Sequence, residues 1–275
     1  MGRNFLKTFL INILAFNIVF ADSNLDEIVI TPKRPSSIFD SLTAIEIITS
    51  EEIEKYGFDT VDNLLNFSSS ISIGSNGGPG QTKSIFLRGT ESNHTKVLVN
   101  GVELNPGTLG VPSIQHISIK MIDRVEIAKG SMSTLYGRNT IGGVINIITK
   151  KDLENSGSFS LSSGRFNTNK IDFYRKYTNN LYNLNLNYSE IRSDSYKAKV
   201  SSSQDHEYKN RNININYQYQ LDKTIFETDY YQSDGTTEYD SFGSNLMQDH
   251  KDRHIKLSLL KKYTDYKTNI NYISK

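Results

Sequence analysis

From Ser158 to the end of the chain, apolar and polar residues alternate with a period of two, in segments of about ten residues. Residues 181–188 set Tyr182, Leu184, Leu186 and Tyr188 on one side. Residues 213–221 set Ile213, Ile215, Tyr217, Tyr219 and Leu221 on one face, and Asn214, Asn216, Gln218 and Gln220 on the other. Residues 255–259 and 270–272 repeat the pattern. Successive side chains of a strand point to opposite faces, so this pattern predicts about seven strands. Short connectors (178–180 and 222–223) take turns with long ones (193–210 and 233–252).

One face of each segment suits hydrocarbon and the other suits water. With short turns at one end and long loops at the other, this is the pattern of a transmembrane β-barrel. Tyrosines near segment ends suit the membrane interface. The competing fold is a soluble β-sandwich or β-solenoid with the apolar face packed inward.

Residues 22–150 read differently. Residues 24–34 form an extended, β-branched segment that stops at Pro32. Residues 45–49 predict a strand. Ser50 is the expected N-cap of a helix with Glu51 and Glu52 in its first turn, ended by Gly57. Thr60 opens a second helix with Val61, Leu64 and Leu65 on one face. Residues 74–80 are turn chemistry. Strands follow at 84–88, 97–99, 102–104, 122–127 and 144–149, and Asn100-Gly101 marks a hairpin. The expectation is a compact α+β domain followed by antiparallel strands.

Residues 1–21 read as a secretory signal: Arg3 and Lys7, then the apolar run Phe9–Phe20, then Val19 and Ala21 at the small-residue positions. That run is too short for a membrane helix, which needs about 20 residues. Mean hydropathy of -0.47 excludes a bundle of membrane helices. With 31 basic and 30 acidic side chains, no strong field steers the chain to nucleic acid. Cysteine is absent, which removes disulfides, thiolate metal sites and a thiol nucleophile. The five histidines are scattered. No nucleophile elbow or phosphate loop is present, so neither an enzyme nor a redox cofactor is expected.

Five motifs then occur in order: Ser84-Ile-Phe-Leu-Arg-Gly-Thr90, Val97-Leu-Val-Asn-Gly-Val102, Ile122-Asp-Arg-Val-Glu-Ile-Ala-Lys-Gly130, Leu135-Tyr-Gly137 and Ile141-Gly-Gly-Val-Ile-Asn-Ile-Ile-Thr149. Together they resemble the plug domain of TonB-dependent outer-membrane receptors. Residues 76–81 and 88–94 resemble in particular the cobalamin receptors of that family. The resemblance divides the chain into a signal peptide (1–21), a TonB-box segment (22–34), a plug (35–150) and the first strands of a barrel (151–275).

The resemblance implies a gated pore of the bacterial outer membrane, energised from the inner membrane. Asp26, Glu27, Ile28, Val29, Ile30 and Thr31 resemble the TonB box, where a TonB-type energy-coupling protein pairs by strand addition. Cobalamin, or a siderophore-like or haem ligand, is the implied cargo. By position, Asn76, Thr82, Ser84, Glu91, Thr108, Leu109 and Gly110 are its implied contacts. Thr82 and Glu91 depart from the cobalamin pattern. Asp194, Asp205, Glu207, Asp240 and Asp249 fall in the two long connectors, where those receptors bind Ca²⁺ through carboxylates. Arg88 and Lys129 stand where plug cations face acids of the barrel wall, and Lys129 replaces the usual Arg.

Barrels of this kind have about 22 strands. Seven strands leave open edges that hydrocarbon does not tolerate, and Lys275 follows no terminal aromatic. The expectation is therefore an incomplete barrel lacking its C-terminal half. A periplasmic or surface ligand-binding module is the alternative of another class.

Overall fold

In a computed structural model, the residues described are 44–107, 109–151, 155–197, 205–241, 244–263 and 267–275. The expected signal peptide, the TonB-box residues and Thr108 lie outside them.

Strand β1 (Ala44–Ile48) leads into helix α1 (Ser50–Tyr56). The cap of α1 is Thr49, one residue earlier than expected, and it closes a capping box with Glu52. Thr49 Oγ1 accepts from the Glu52 amide at 3.3 Å, and Glu52 Oε2 accepts from the Thr49 amide at 2.9 Å. Two orphan donors are satisfied reciprocally, which a Ser50 cap could not do with Glu52. Gly57 ends α1 at φ 62°. Thr60 caps α2 (Val61–Asn66), as the sequence predicts.

Strands β2 (Ile71–Ser75) and β3 (Lys83–Leu87) form a hairpin whose tip spans residues 76–82. Gly74 and Ser75, expected in a turn, are the last residues of β2. Then come β4 (Thr95–Val99), β5 (Val102–Glu103), β6 (Ile122–Lys129), the short α3 (Ser133–Tyr136) and β7 (Gly143–Thr149). Asn100 (φ 50°) and Gly101 (φ 80°) turn β4 into β5, the two positive values a tight hairpin needs. The sheet runs β1-β6-β7-β4-β5, with β4 and β7 parallel and the other pairs antiparallel. Its core holds Ile48, Leu64, Leu65, Ile85, Leu87, Val97, Val99, Val125, Ile127, Ile145 and Ile147, all buried. Each such side chain contributes roughly 1.5–3 kcal/mol on leaving water.

Seven strands follow: β8 (Gly157–Gly164), β9 (Thr168–Thr178), β10 (Tyr182–Ser193), β11 (Tyr208–Leu221), β12 (Thr224–Ser241), β13 (Ser244–Lys262) and β14 (Lys267–Ser274). They form one antiparallel meander in chain order, with β8 and β14 at its edges among the described residues. Where a long connector was expected at 233–252, β12 and β13 pair continuously from Thr224↔Lys261 to Ser241↔Ser244. The run Thr236-Thr237-Glu238-Tyr239 holds no proline, and threonine and tyrosine favour extended backbone, so the ladder carries on.

The alternating faces turn opposite ways to those of a soluble sheet. Asn185, Asn187, Asn210, Asn212, Asn214 and Asn216 are buried. Phe159, Leu161, Phe173, Tyr217, Phe226, Leu257 and Ile270 are exposed. The N-terminal domain packs on the asparagine side, where the wall's Tyr231 enters the main core cluster.

Candidate functional site

Three sets of contacts, spaced along β11–β13, dock the N-terminal domain on the wall. The first lies toward the 222–223 turn and is built on Asn100. Its side-chain carbonyl accepts from the Thr149 amide at 3.0 Å. Its amide donates to Thr149 Oγ1 at 2.9 Å and to Asp229 Oδ2 at 2.8 Å. Its backbone carbonyl accepts from the Lys256 ammonium at 3.0 Å. Lys151 pairs with Glu227, and Asn216 donates to that carboxylate at 2.9 Å and to Asp229 Oδ2 at 3.3 Å. Burial works against the Lys151 charge, but the Glu227 and Asp229 carboxylates outweigh it and raise the ammonium above the usual lysine range.

The second set is built on the single 3₁₀ turn Ile114–His116. The His116 ring stacks on His250 of β13, with centroids 3.5 Å apart and planes within 7°. His116 Nδ1 lies 3.2 Å from the Tyr208 hydroxyl, which donates to the Gln115 carbonyl at 3.2 Å. The His116 carbonyl accepts from Asn210 Nδ2 at 2.8 Å and from Ser233 Oγ at 3.1 Å.

The third set holds the β2–β3 tip. Gln81 Nε2 donates to the Glu238 carbonyl at 2.7 Å. A Cβ on Gly80 would come within 2.1 Å of the Tyr208 ring, and one on Gly78 within 2.9 Å of Ser195 Oγ. Glycine at these positions lets the tip lie against the wall. Elsewhere along the interface, a cavity of about 230 Å³ is lined by Lys120 and Lys150 of the plug and by Asp172, Asn187 and Ser189 of the wall.

Of the residues expected to touch cargo, Asn76 and Thr82 are exposed and joined at the tip, the Asn76 amide donating to the Thr82 carbonyl at 3.2 Å. Ser84 follows in β3, opposite Gly74. Glu91 is exposed at the start of the Ser92–His94 turn. Leu109 is 78% exposed, and Gly110 packs beside Asn93 and Asn139. Arg88, at φ 55°, lies beside Gly130. Lys129 meets Glu46 of its own sheet at 2.7 Å; the Glu46–Lys129 pair bridges β1 and β6.

The five carboxylates of the connectors are dispersed. Asn167 donates to Asp194 at 3.2 Å, Glu207 meets Lys209 at 2.8 Å, Asp205 is exposed, and Asp240 and Asp249 lie on β12 and β13. Among the described residues no group of three or more His, Asp or Glu could hold a metal ion.

Of the docking residues, Asn100 is legible in the sequence only as a hairpin position, and His116, Lys151, Tyr208, Glu227, Asp229, His250 and Lys256 carry no such mark. One signal was there. Extending the face of Asn214 and Asn216 across the ladder reaches Asp229 and Glu227, charges on the side away from Phe226 and Tyr230.

A small α/β domain held by polar contacts against the inner, asparagine-lined face of an antiparallel wall defines a plugged β-wall protein. Residues 37–144 match the family described as TonB-dependent Receptor Plug Domain. The match falls within the region where a plug is expected, and the seven antiparallel strands follow it. It is 40% identical over 125 residues to the vitamin B12 transporter BtuB of Vibrio vulnificus, a match covering 45% of this chain and 20% of that transporter. Its fold is similar to the siderophore receptor PirA of Acinetobacter baumannii, with TM-score 0.67 and 18% identity over 83% of this chain and 39% of that one. A mutant ferric enterobactin receptor PfeA of Pseudomonas aeruginosa, in complex with enterobactin, gives TM-score 0.66 and 16% identity over 83% and 40% of the two chains. The chain thus spans well under half of the receptors it resembles.

Proposed function

We propose that this chain serves TonB-dependent uptake of cobalamin, or of a related scarce nutrient, across a bacterial outer membrane. The observation that carries the proposal is the reversal of burial across the wall. Asn214 and Asn216 are fully buried against the plug side, while Tyr217, Phe226 and Leu257 face outward. Water would not hold so broad an apolar face open, and lipid does. The plug's sequence likeness to a vitamin B12 transporter supports cobalamin as cargo.

In this reading the exposed tip residues Asn76 and Thr82, with Ser84, Glu91 and the loop at 108–110, meet cargo from outside. Asp26–Thr31 offers a strand to the energy-coupling partner in the periplasm. β-Branched residues favour that pairing, and Pro32, lacking an amide hydrogen, ends it. Polar contacts at Asn100 and Lys151 hold the plug beside the apolar contact at Tyr231, and hydrogen bonds of this kind can be exchanged for bonds to water.

The fold likeness to siderophore receptors favours a second cargo class, ferric siderophores. The test is competition binding of cyanocobalamin and ferric enterobactin, in detergent micelles, to a closed receptor whose plug and first seven strands are this chain, with carbonate washing of membranes that contain it. Saturable cobalamin binding by carbonate-resistant protein is expected. Siderophore binding alone would transfer the reading to the second cargo. Release by carbonate with no binding of either would overturn uptake altogether.

A further inference from the structure

The His116–His250 stack is built for neutral imidazoles. His116 Nε2 lies 3.3 Å from the Gln115 side-chain amide nitrogen, a donor, so this ring nitrogen accepts. The ring hydrogen of His116 therefore sits on Nδ1 and points to the Tyr208 oxygen, whose own hydrogen goes to the Gln115 carbonyl. On the other ring, His250 Nε2 donates to Asn210 Oδ1 at 2.8 Å, because the Asn210 amide is spent on the His116 carbonyl. His250 Nδ1 is then a bare acceptor, buried and without a partner among the described residues. A proton added to either ring would face a donor or nothing, and two imidazolium rings could not remain 3.5 Å apart.

We propose that this stack is an acid-released latch: the plug turn at 114–116 stays docked while both rings are neutral and leaves the wall when they gain protons.

The surroundings support that direction. Burial, with His250 adding to it, lowers the His116 pKa to about 3. Asp234 on β12 and Asp249 on β13 act on the pair through His250 from ladder positions that turn to the outer face, and on the inner face Asp252 lies two positions along β13. Asp234 is already occupied by Arg211 at 2.8 Å. Tyr208 from β11 and Gln115 from the plug complete the enclosure, and both are neutral. A histidine whose docked pKa lies below its free value stabilises docking fully above the free value, about 6.5. That contribution is lost as pH falls from about 6.5 toward the docked value. The latch therefore holds at neutral pH and weakens in acid. Tyr208 also lies against Gly80, so release at 116 would free the same ring that braces the expected cargo-binding tip. The inference concerns plug docking and is independent of which cargo is carried.

The chain has no cysteine, so labels go only where they are placed. Spin labels at Lys120→Cys on the plug and Lys251→Cys on the wall, both exposed positions, report the separation. In micelles, the separated population should rise on the order of 10- to 100-fold between about pH 7.5 and pH 4.5, by proton linkage on one ring. The double variant His116→Gln/His250→Gln keeps amide donors but cannot titrate, and should lose this response. His250→Gln alone should shrink it, which guards against misfolding of the double variant. A distance unchanged with pH in the parent, or an equal acid response in a folded glutamine variant, would overturn the latch.

Discussion

Gly80 and Gly89 share the same φ of 75° but not the same surroundings. A methyl group on Gly89 meets nothing within 4 Å, whereas one on Gly80 strikes the Tyr208 ring. Gly89→Ala should therefore cost only backbone strain, about 1 kcal/mol. Gly80→Ala adds overpacking of about 1–3 kcal/mol and pushes the tip off the wall. Chemical unfolding followed by tyrosine fluorescence should place Gly80→Ala well below Gly89→Ala; equal midpoints would mean that the tip does not rest on Tyr208. This contrast also shows where sequence stops. Residues 74–80 announce a turn through their composition, yet nothing local tells that Gly80 meets a residue 128 positions away. His116 and Asn100 are the same case: each looks like an ordinary turn residue until its partner strand is in place.

Elements were legible where local chemistry decides them. The seven period-two strands, the Asn100-Gly101 hairpin and the Thr60 cap all appear as the pattern predicts. The α1 cap is Thr49 rather than Ser50 because the reciprocal bond to Glu52 needs a spacing of three. Thr49→Ala should consequently cost about 1 kcal/mol, and Ser50→Ala should lie near zero, in thermal unfolding followed by circular dichroism. A larger loss at Ser50 would make Ser50 the cap. The edge strand β1 gives a second prediction. Burial pushes the Glu46 carboxyl up, but Lys129 and the Ser68 hydroxyl outweigh it and leave its pKa below the usual range. Its stabilisation is therefore present above the unfolded value and is lost as pH falls through the lowered one. Glu46→Gln should lower stability by about 1 kcal/mol near neutral pH, where the pair is only partly shielded from water. The gap from the parent should close in acid. A gap independent of pH would show that the charge is not what binds β1 to β6. The β12–β13 hairpin was missed because polar residues at 233–252 resemble a loop. Polar side chains also serve a strand whose two faces meet water and a polar plug.

For the molecule as a whole, the decisive question is which face of the wall meets solvent. Composition cannot answer it, since a soluble sandwich and a membrane wall use the same alternation with opposite sides inward. The plug answers it by docking on the asparagines, with Asn100 and His116 reaching Asp229 and Asn210. Ile215, between the fully buried Asn214 and Asn216, then points outward, toward lipid in the proposed setting. Ile215→Arg places a charge in hydrocarbon and should cost roughly 2–4 kcal/mol near the bilayer midplane, seen as a lower unfolding midpoint in lipid vesicles. In short-chain detergent, where the charge reaches water, most of that loss should disappear. Asn214→Leu behaves the other way. It removes the 3.1 Å bond to the Tyr230 carbonyl inside the wall and should cost about the same in lipid and in detergent. Were the arginine harmless in vesicles and the leucine stabilising, the apolar face would be the inner one, and a sheet packed in water would replace the lipid-facing wall.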